Sequence, residues 1–190
     1  SLLYRYKDIR NNADLVYDNS QNGWKSVLSY NKRRSHSNKY TYSSGTEAIS
    51  ERYDMYSWTS DTQKQWNFRN GQDHLVAGAA FSRENYHGLS SSTAADYRSS
   101  HRNNISLYGS YAYAAAPNLT VIVGARGQHS SDYARDKNVF LPQIQTLYKL
   151  SRHASWFVNI GKSFQMPAIN QYFMKSGTSF HALKPQAGWT

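Results

Sequence analysis

The chain has 190 residues, of which 39% are hydrophobic, with 16 Tyr, 5 Trp, 7 Phe and a formal net charge of +10; mean hydropathy is −0.77. That length suffices for one domain. The aromatic content excludes a disordered chain, no apolar run approaches the ~18 residues of a transmembrane helix, and the lack of cysteine excludes disulfides and thiolate metal sites. A basic balance admits nucleic acid, anionic lipid or an anionic ligand without choosing among them.

In chain order, Leu2–Asn19 reads as one strand. Asn19-Ser-Gln-Asn-Gly23 is a turn, its Asn-Gly supplying the positive φ of tight hairpins. Trp24–Lys32 alternates, with Trp24, Leu28 and Tyr30 on one face. Residues 33–50 read as a long polar loop. A strand over Arg52–Phe68 follows, then the turn Arg69-Asn-Gly-Gln72 and a strand over Asp73–Tyr86. Residues 87–99 form a second predicted long loop. His101–Tyr113 is a strand, Ala114–Asn118 a turn, Leu119–Gln128 a strand and Gly127–Asn138 a polar loop. Leu141–Leu150, a turn at Ser151–His153 and Ala154–Phe164 make the next hairpin. A polar loop then leads to Leu183–Trp189, with Trp189-Thr190 beginning another strand.

Short connections therefore alternate with long ones, between strands long enough to cross hydrocarbon. That rhythm predicts an all-β fold, an antiparallel up-and-down meander forming part of a large transmembrane β-barrel. A soluble β-sandwich also alternates, but its strands are shorter and its loops do not sort by length. Leu75, Ala77, Ala79, Phe81, Ile105, Leu107, Leu119, Val121, Val123, Trp156, Val158 and Ile160 are expected on the convex, lipid-facing side. Ser82, Ser106, Ser110, Thr120, Arg126, Ser155 and Asn159 are expected to face the lumen. Tyr56, Trp58, Trp66, Phe68, Trp156 and Phe164 suit interfacial girdles. About eight strands and the start of a ninth predict an open sheet.

The sequence carries no helical apolar stripe, nucleotide-binding glycine loop, metal-spaced cluster or Gly-x-Ser-x-Gly elbow. Its carboxylates show no acid–base spacing. Neither an enzyme nor a cofactor or metal is expected.

Leu141-Pro142, Gly161-Lys-Ser-Phe-Gln-Met-Pro167 and Leu183-Lys-Pro-Gln186 come next, with Val121-Ile-Val-Gly-Ala-Arg126 ahead of them. Together they resemble the mid-barrel region of TonB-dependent outer-membrane receptors, over about the last 70 residues. Phe164, Pro167, Leu183, Lys184 and Pro185 carry the motif pair. Gln165 stands where the family has Arg, Phe180-His181 where it has Asn-Pro, and Gln186 where it has Glu. The resemblance implies a piece of a 22-stranded barrel, residues 1–190, with the plug domain and remaining strands outside it.

It also implies a receptor in the outer membrane of a Gram-negative type of cell. That receptor would take up a ferric siderophore first, or haem as runner-up, driven by TonB through the plug domain. His181, between the two motifs, lies where haem-transporting relatives carry a ligand-contacting histidine. Arg33, Arg34, Arg98, Arg102, Arg135 and Lys137 make the predicted outer loops basic. They would meet either the anionic chelate or the phosphates of surrounding outer-membrane lipid and lipopolysaccharide. His181, Arg98, Arg102, Arg135 and Lys137 are the candidate ligand-binding residues. A passive porin fits the strands but not the motif pair. A soluble basic β-protein for polysaccharide or nucleic acid fits the charge but not the uncharged faces of Leu119/Val121/Val123 and Leu75/Ala77/Ala79; no nucleic-acid partner is expected.

Overall fold

The computed structural model describes residues 2–41, 44–89, 97–131, 136–167, 169, 175–176, 179–180 and 185–190. Strands β1 (Leu2–Asn19), β2 (Trp24–Thr41), β3 (Thr46–Phe68), β4 (Asp73–Leu89), β5 (Tyr97–Ala116), β6 (Leu119–Ser131), β7 (Asp136–Lys149) and β8 (Ser155–Gln165) follow one another. A two-residue pair, β9 (Lys175–Ser176) and β10 (Ser179–Phe180), precedes β11 (Gln186–Trp189). One nine-stranded sheet runs in the order β1-β2-β3-β4-β5-β6-β7-β8-β11, every neighbouring pair antiparallel. The first and last strands are not paired with each other, so the expected unclosed meander is what forms.

The turns follow local chemistry. Gly23 has φ +69°, and a Cβ there would collide with the Gln65 carbonyl oxygen, which closes the β1–β2 turn against β3. Arg69, Asn70 and Gly71 all adopt positive φ in a single 3-10 turn between β3 and β4. At the opposite end the structure corrects the sequence. The supposed loop 33–50 is mostly ladder, running Arg33↔Met55 to Thr41↔Thr46 with a register shift at Ser37/Asn38. Loops 87–99 and 127–138 likewise lose their flanks to strands ending at Leu89 and Ser131 and starting at Tyr97 and Asp136. Past the bilayer neither face must be apolar, so the alternation that marks a strand disappears. The backbone groups still pair, because an unpaired N–H or C=O costs free energy.

Side chains directly opposite one another share a face, so the register sorts the wall. Leu75–Tyr111–Val123–Ile144–Ile160 makes one row, and Ala79–Leu107–Gly127–Phe140 another, on what we call the outer face. Every residue expected on the lipid side lies there. Ser82, Ser106, Ser110, Thr120, Arg126, Ser155 and Asn159 lie on the inner face. Exposure follows: Leu107 is 67% and Val123 55% accessible, against 3% for Ser106.

The aromatic residues mark two levels on the outer face. Tyr30 and Trp58 touch at the far level, with ring centroids 4.5 Å apart. Trp24, Trp66, Tyr113, Tyr148 and Trp156 lie towards the short turns, where the Lys64 ammonium sits 5.1 Å from the Trp24 ring and 5.4 Å from Trp66. From level to level β3 presents five outer side chains, Trp58 to Trp66 with both aromatics counted, over nine residues, the lower end of the 9–11 residues a tilted strand needs to cross hydrocarbon. The buried apolar cluster is only Tyr53, Tyr86 and Ile169 among the described residues, with Met55 against it. A one-layer sheet with so small a core accounts for 12,823 Å² of accessible surface, against roughly 9,300 Å² for a globular monomer of this mass. Such a wall suits a membrane, not a sandwich.

Candidate functional site

The inner face of the overhang, beyond the Tyr30–Trp58 level, carries charge. Arg10, Arg33, Met55 and Tyr86 form one row across β1–β4, and Asn12, Asn31, Ser57, Glu84 and Arg102 the next across β1–β5. Asp8 sits between two of the guanidiniums: Arg33 Nε donates to Oδ1 at 3.0 Å and Arg10 Nη2 to Oδ2 at 2.9 Å. The Arg33 hydrogen bond, opposed by partial desolvation and reinforced by Arg10, holds the Asp8 carboxyl below the usual range. The same bond strengthens the hold of Arg33 on its proton. Arg33 also lies 5.5 Å from the Tyr53 ring centroid and donates to Tyr6 Oη at 3.2 Å. Its planar head is fixed on three sides.

Arg102 is 4% exposed. Its Nη2 donates to the Pro167 carbonyl at 2.7 Å and its Nη1 lies 3.5 Å from Glu84 Oε2. The segment leaving β8 is thus tied across the inner face to β5, and Ile169 closes onto Tyr53 and Tyr86. Between this strap and the strands lies a cavity of about 820 Å³, lined by Arg10, Arg33, Met55, Glu84, Arg102, Met166 and Pro167 among others. Three guanidiniums stand there against two carboxylates, Glu84 in the lining and Asp8 bonded to both Arg10 and Arg33. Such a space admits a chelate-sized molecule and favours an anion.

A second polar network lies at membrane depth on the inner face. Tyr108 donates to Asp61 Oδ1 at 2.6 Å, and Arg126 sits 5.7 Å from its ring while donating to Ser106 Oγ at 2.6 Å. Tyr108 packs over Gly78, where a Cβ would fall 2.5 Å from the ring. Ionisable groups at this depth face the interior.

Of the candidate ligand residues, Arg102 is the one among the described side chains that reaches the cavity. Lys137 lies opposite Ser130 at the far end of β7, exposed. The backbone of Arg98 pairs with Gly88 in β5. His181, Arg135, Leu183 and Lys184 lie outside the described residues. The loop placement of Arg33, Arg34, Arg98 and Lys137 is corrected: all four are strand residues, and Arg33 and Arg34 point to opposite faces. The two motifs meet, since Phe164 pairs with Ala187 and Gln165 with Gln186, and Pro185 leads into β11. The ladder continues through mutual bonds between Gly161 and Thr190 at 2.9 and 3.1 Å. Sequence reasoning missed Arg10, Met55 and Ile169, which come together only through register and the strap.

The family model described as "TonB dependent receptor-like, beta-barrel" matches residues 2–190. No curated protein matches the chain. Among solved structures, the copper transporter OprC superposes with a TM-score of 0.71 at 15% identity, over 96% of this chain and 34% of that one. The alcaligin outer-membrane receptor FauA from Bordetella pertussis gives 0.61 at 14% identity, over 86% and 30%. The ferripyoverdine receptor of the Pseudomonas aeruginosa outer membrane, bound to ferripyoverdine, gives 0.56 at 14%, over 97% and 29%. The chain spans about a third of the length of these structures, whose low identity speaks to the fold alone. With the open meander, the largely apolar outer face of β4–β8 and a family match over nearly every residue, this chain belongs to the TonB-dependent receptor β-barrel family.

Proposed function

We propose that the complete protein is an outer-membrane receptor for energised uptake of a large anionic metal chelate, a ferric siderophore. TonB-dependent receptors are transporters, not enzymes. In this reading residues 1–190 are barrel wall, a plug domain outside the chain meets TonB, and outer-membrane lipid and lipopolysaccharide surround the wall. The observation that carries it is the 820 Å³ inner cavity, placed beyond the outer aromatic level and lined by Arg10, Arg33 and Arg102. A basic entrance raises the local concentration of an anionic chelate, and fixed guanidiniums suit the planar oxygen donors of catecholate or hydroxamate groups. Haem would add axial ligation by an imidazole, for which His181 is the candidate.

The test expresses the complete receptor in a strain lacking other iron uptake, with and without TonB. Growth on a panel of ferric siderophores that needs TonB and falls in Arg10→Gln/Arg33→Gln supports the reading. Growth on haemin alone, lost in His181→Ala, replaces siderophore with haem. Uptake independent of TonB returns the protein to the passive porin class.

A further inference from the structure

The cavity under the strap has two unlike walls, which together narrow the chemistry of what it can hold. One wall is basic. Arg10 donates to Asp8 through Nε and Nη2, and Arg33 donates to Asp8 through Nε and to Tyr6 Oη through Nη2. Among the described residues, Nη1 of each has no hydrogen-bond partner. The Arg10 side chain is 64% exposed. With Arg102, the guanidiniums outnumber the carboxylates Glu84 and Asp8, so the space carries excess positive charge.

The other wall is apolar. Met55, from β3, packs against the buried Tyr53–Tyr86–Ile169 cluster, and Met166, Pro167 and Ile169 arrive from the segment leaving β8. The chain has three methionines, and two of them line this one space. Thioethers are polarisable and settle at the edges of aromatic rings, as guanidiniums settle on their faces.

Those walls separate the ferric chelates. Three doubly deprotonated catechols around Fe(III) leave a trianion whose oxygens are carried on aromatic rings. Three hydroxamates leave a neutral complex, which gives the guanidiniums no net charge to attract. Citrate complexes of Fe(III) are anionic but bring no ring to the methionines. Haem is anionic and aromatic, but its iron takes an axial imidazole, and among the described residues no histidine lines the cavity. We propose that the transported chelate is a ferric catecholate, its charged oxygens against Arg10 and Arg33 and its rings against Met55 and Met166. The assignment rests on the proposed function, in which this cavity receives the chelate.

The test measures equilibrium binding to the purified complete receptor. Its four probes are haemin and the ferric complexes of a hexadentate tris-catecholate, a linear trihydroxamate and citrate. Wild type should bind the catecholate most tightly. Arg10→Gln/Arg33→Gln should narrow the preference for catecholate over trihydroxamate on the order of 100-fold, about tenfold for each charge-assisted hydrogen bond lost. Met55→Gln/Met166→Gln should narrow the preference for catecholate over citrate about two- to tenfold for each methionine. Each preference is a ratio within one preparation, so a smaller folded fraction in a variant cancels. Wild type binding any other probe as tightly as the catecholate overturns the assignment, and so does an unchanged ratio in either variant. TonB-dependent uptake of the trihydroxamate in place of the catecholate overturns it while the proposed function stands. Binding of none of the four overturns both.

Discussion

Val123 tests the assignment of the two faces most directly. It lies in the middle of the outer stretch of β6, between Leu119 at the aromatic level and His129 beyond the far end, and is 55% exposed. Its neighbours across the strands are Tyr111 and Ile144, which offer no counter-charge. Val123→Arg would place a guanidinium near the bilayer midplane, at a cost of about 2–4 kcal/mol. That is a roughly 30- to 900-fold shift in the folding equilibrium. Leu119→Arg sits beside Tyr148 near the short-turn interface and should cost only about 0–1 kcal/mol. Thr120→Arg, one residue along but facing the lumen, should stay within about 1 kcal/mol. The assay is urea unfolding of the complete receptor in phospholipid vesicles, followed by tryptophan emission and by gel mobility of the folded form. A costly Thr120→Arg beside a neutral Val123→Arg would refute the face assignment and the membrane reading built on it.

Gly78→Ala sets a Cβ 2.5 Å from the Tyr108 ring and 2.7 Å from the Thr62 carbonyl; it should destabilise by about 1–3 kcal/mol, read in the same urea series. Arg102→Met strands the Pro167 carbonyl and Glu84 and should cost about 1.5–3 kcal/mol, with faster amide exchange over 163–169 as its local signature. Asp73, at the short-turn rim outside the membrane, accepts from Arg69, Tyr111 Oη at 3.0 Å and the Ala114 N–H at 2.9 Å. Arg69 chiefly, against desolvation, lowers its pKa from 3.8 to about 2. A folded-state pKa below the unfolded value gives stability that is present above pH ~4 and lost as pH falls towards 2. Thermal melts of the complete receptor should show a larger loss over that range in wild type than in Asp73→Asn, the remainder belonging to groups such as Asp8.

The strands and their faces were legible because a two-residue period survives wherever one side must be apolar. Leu75, Leu107, Val121 and Ile160 fell on the lipid side, and Ser106 and Arg126 on the other. The overhangs were not legible for the same reason: Arg33–Thr41 has no apolar face to announce it, yet it pairs as far as Thr46. The cavity was hidden more deeply. Arg10, Arg33 and Arg102 are far apart in sequence, and only the register of four ladders with the Pro167 strap brings them together. The motif Gly161–Pro167 marked the family, while what its last residue does, accepting from Arg102 across the lumen, depends on a partner 65 positions away.

The pair Arg33–Arg34 shows why placement, not composition, assigns the basic residues. Read as a loop, the two arginines are equivalent, and their charge serves a chelate or a lipid phosphate equally well. Read as a strand, consecutive side chains must point to opposite faces. One guanidinium then joins Asp8, Tyr6 and Tyr53 at the cavity, and its neighbour joins Asp54 on the outside. The same parity holds along the ladder, sending Arg10 and Arg102 inward and Lys32 and Arg83 outward. A one-residue slip of β2 against both neighbours would exchange the roles of Lys32, Arg33 and Arg34 and turn Leu28 and Tyr30 into the lumen. The apolar band therefore fixes, through register alone, which cations face the cavity and which face outward.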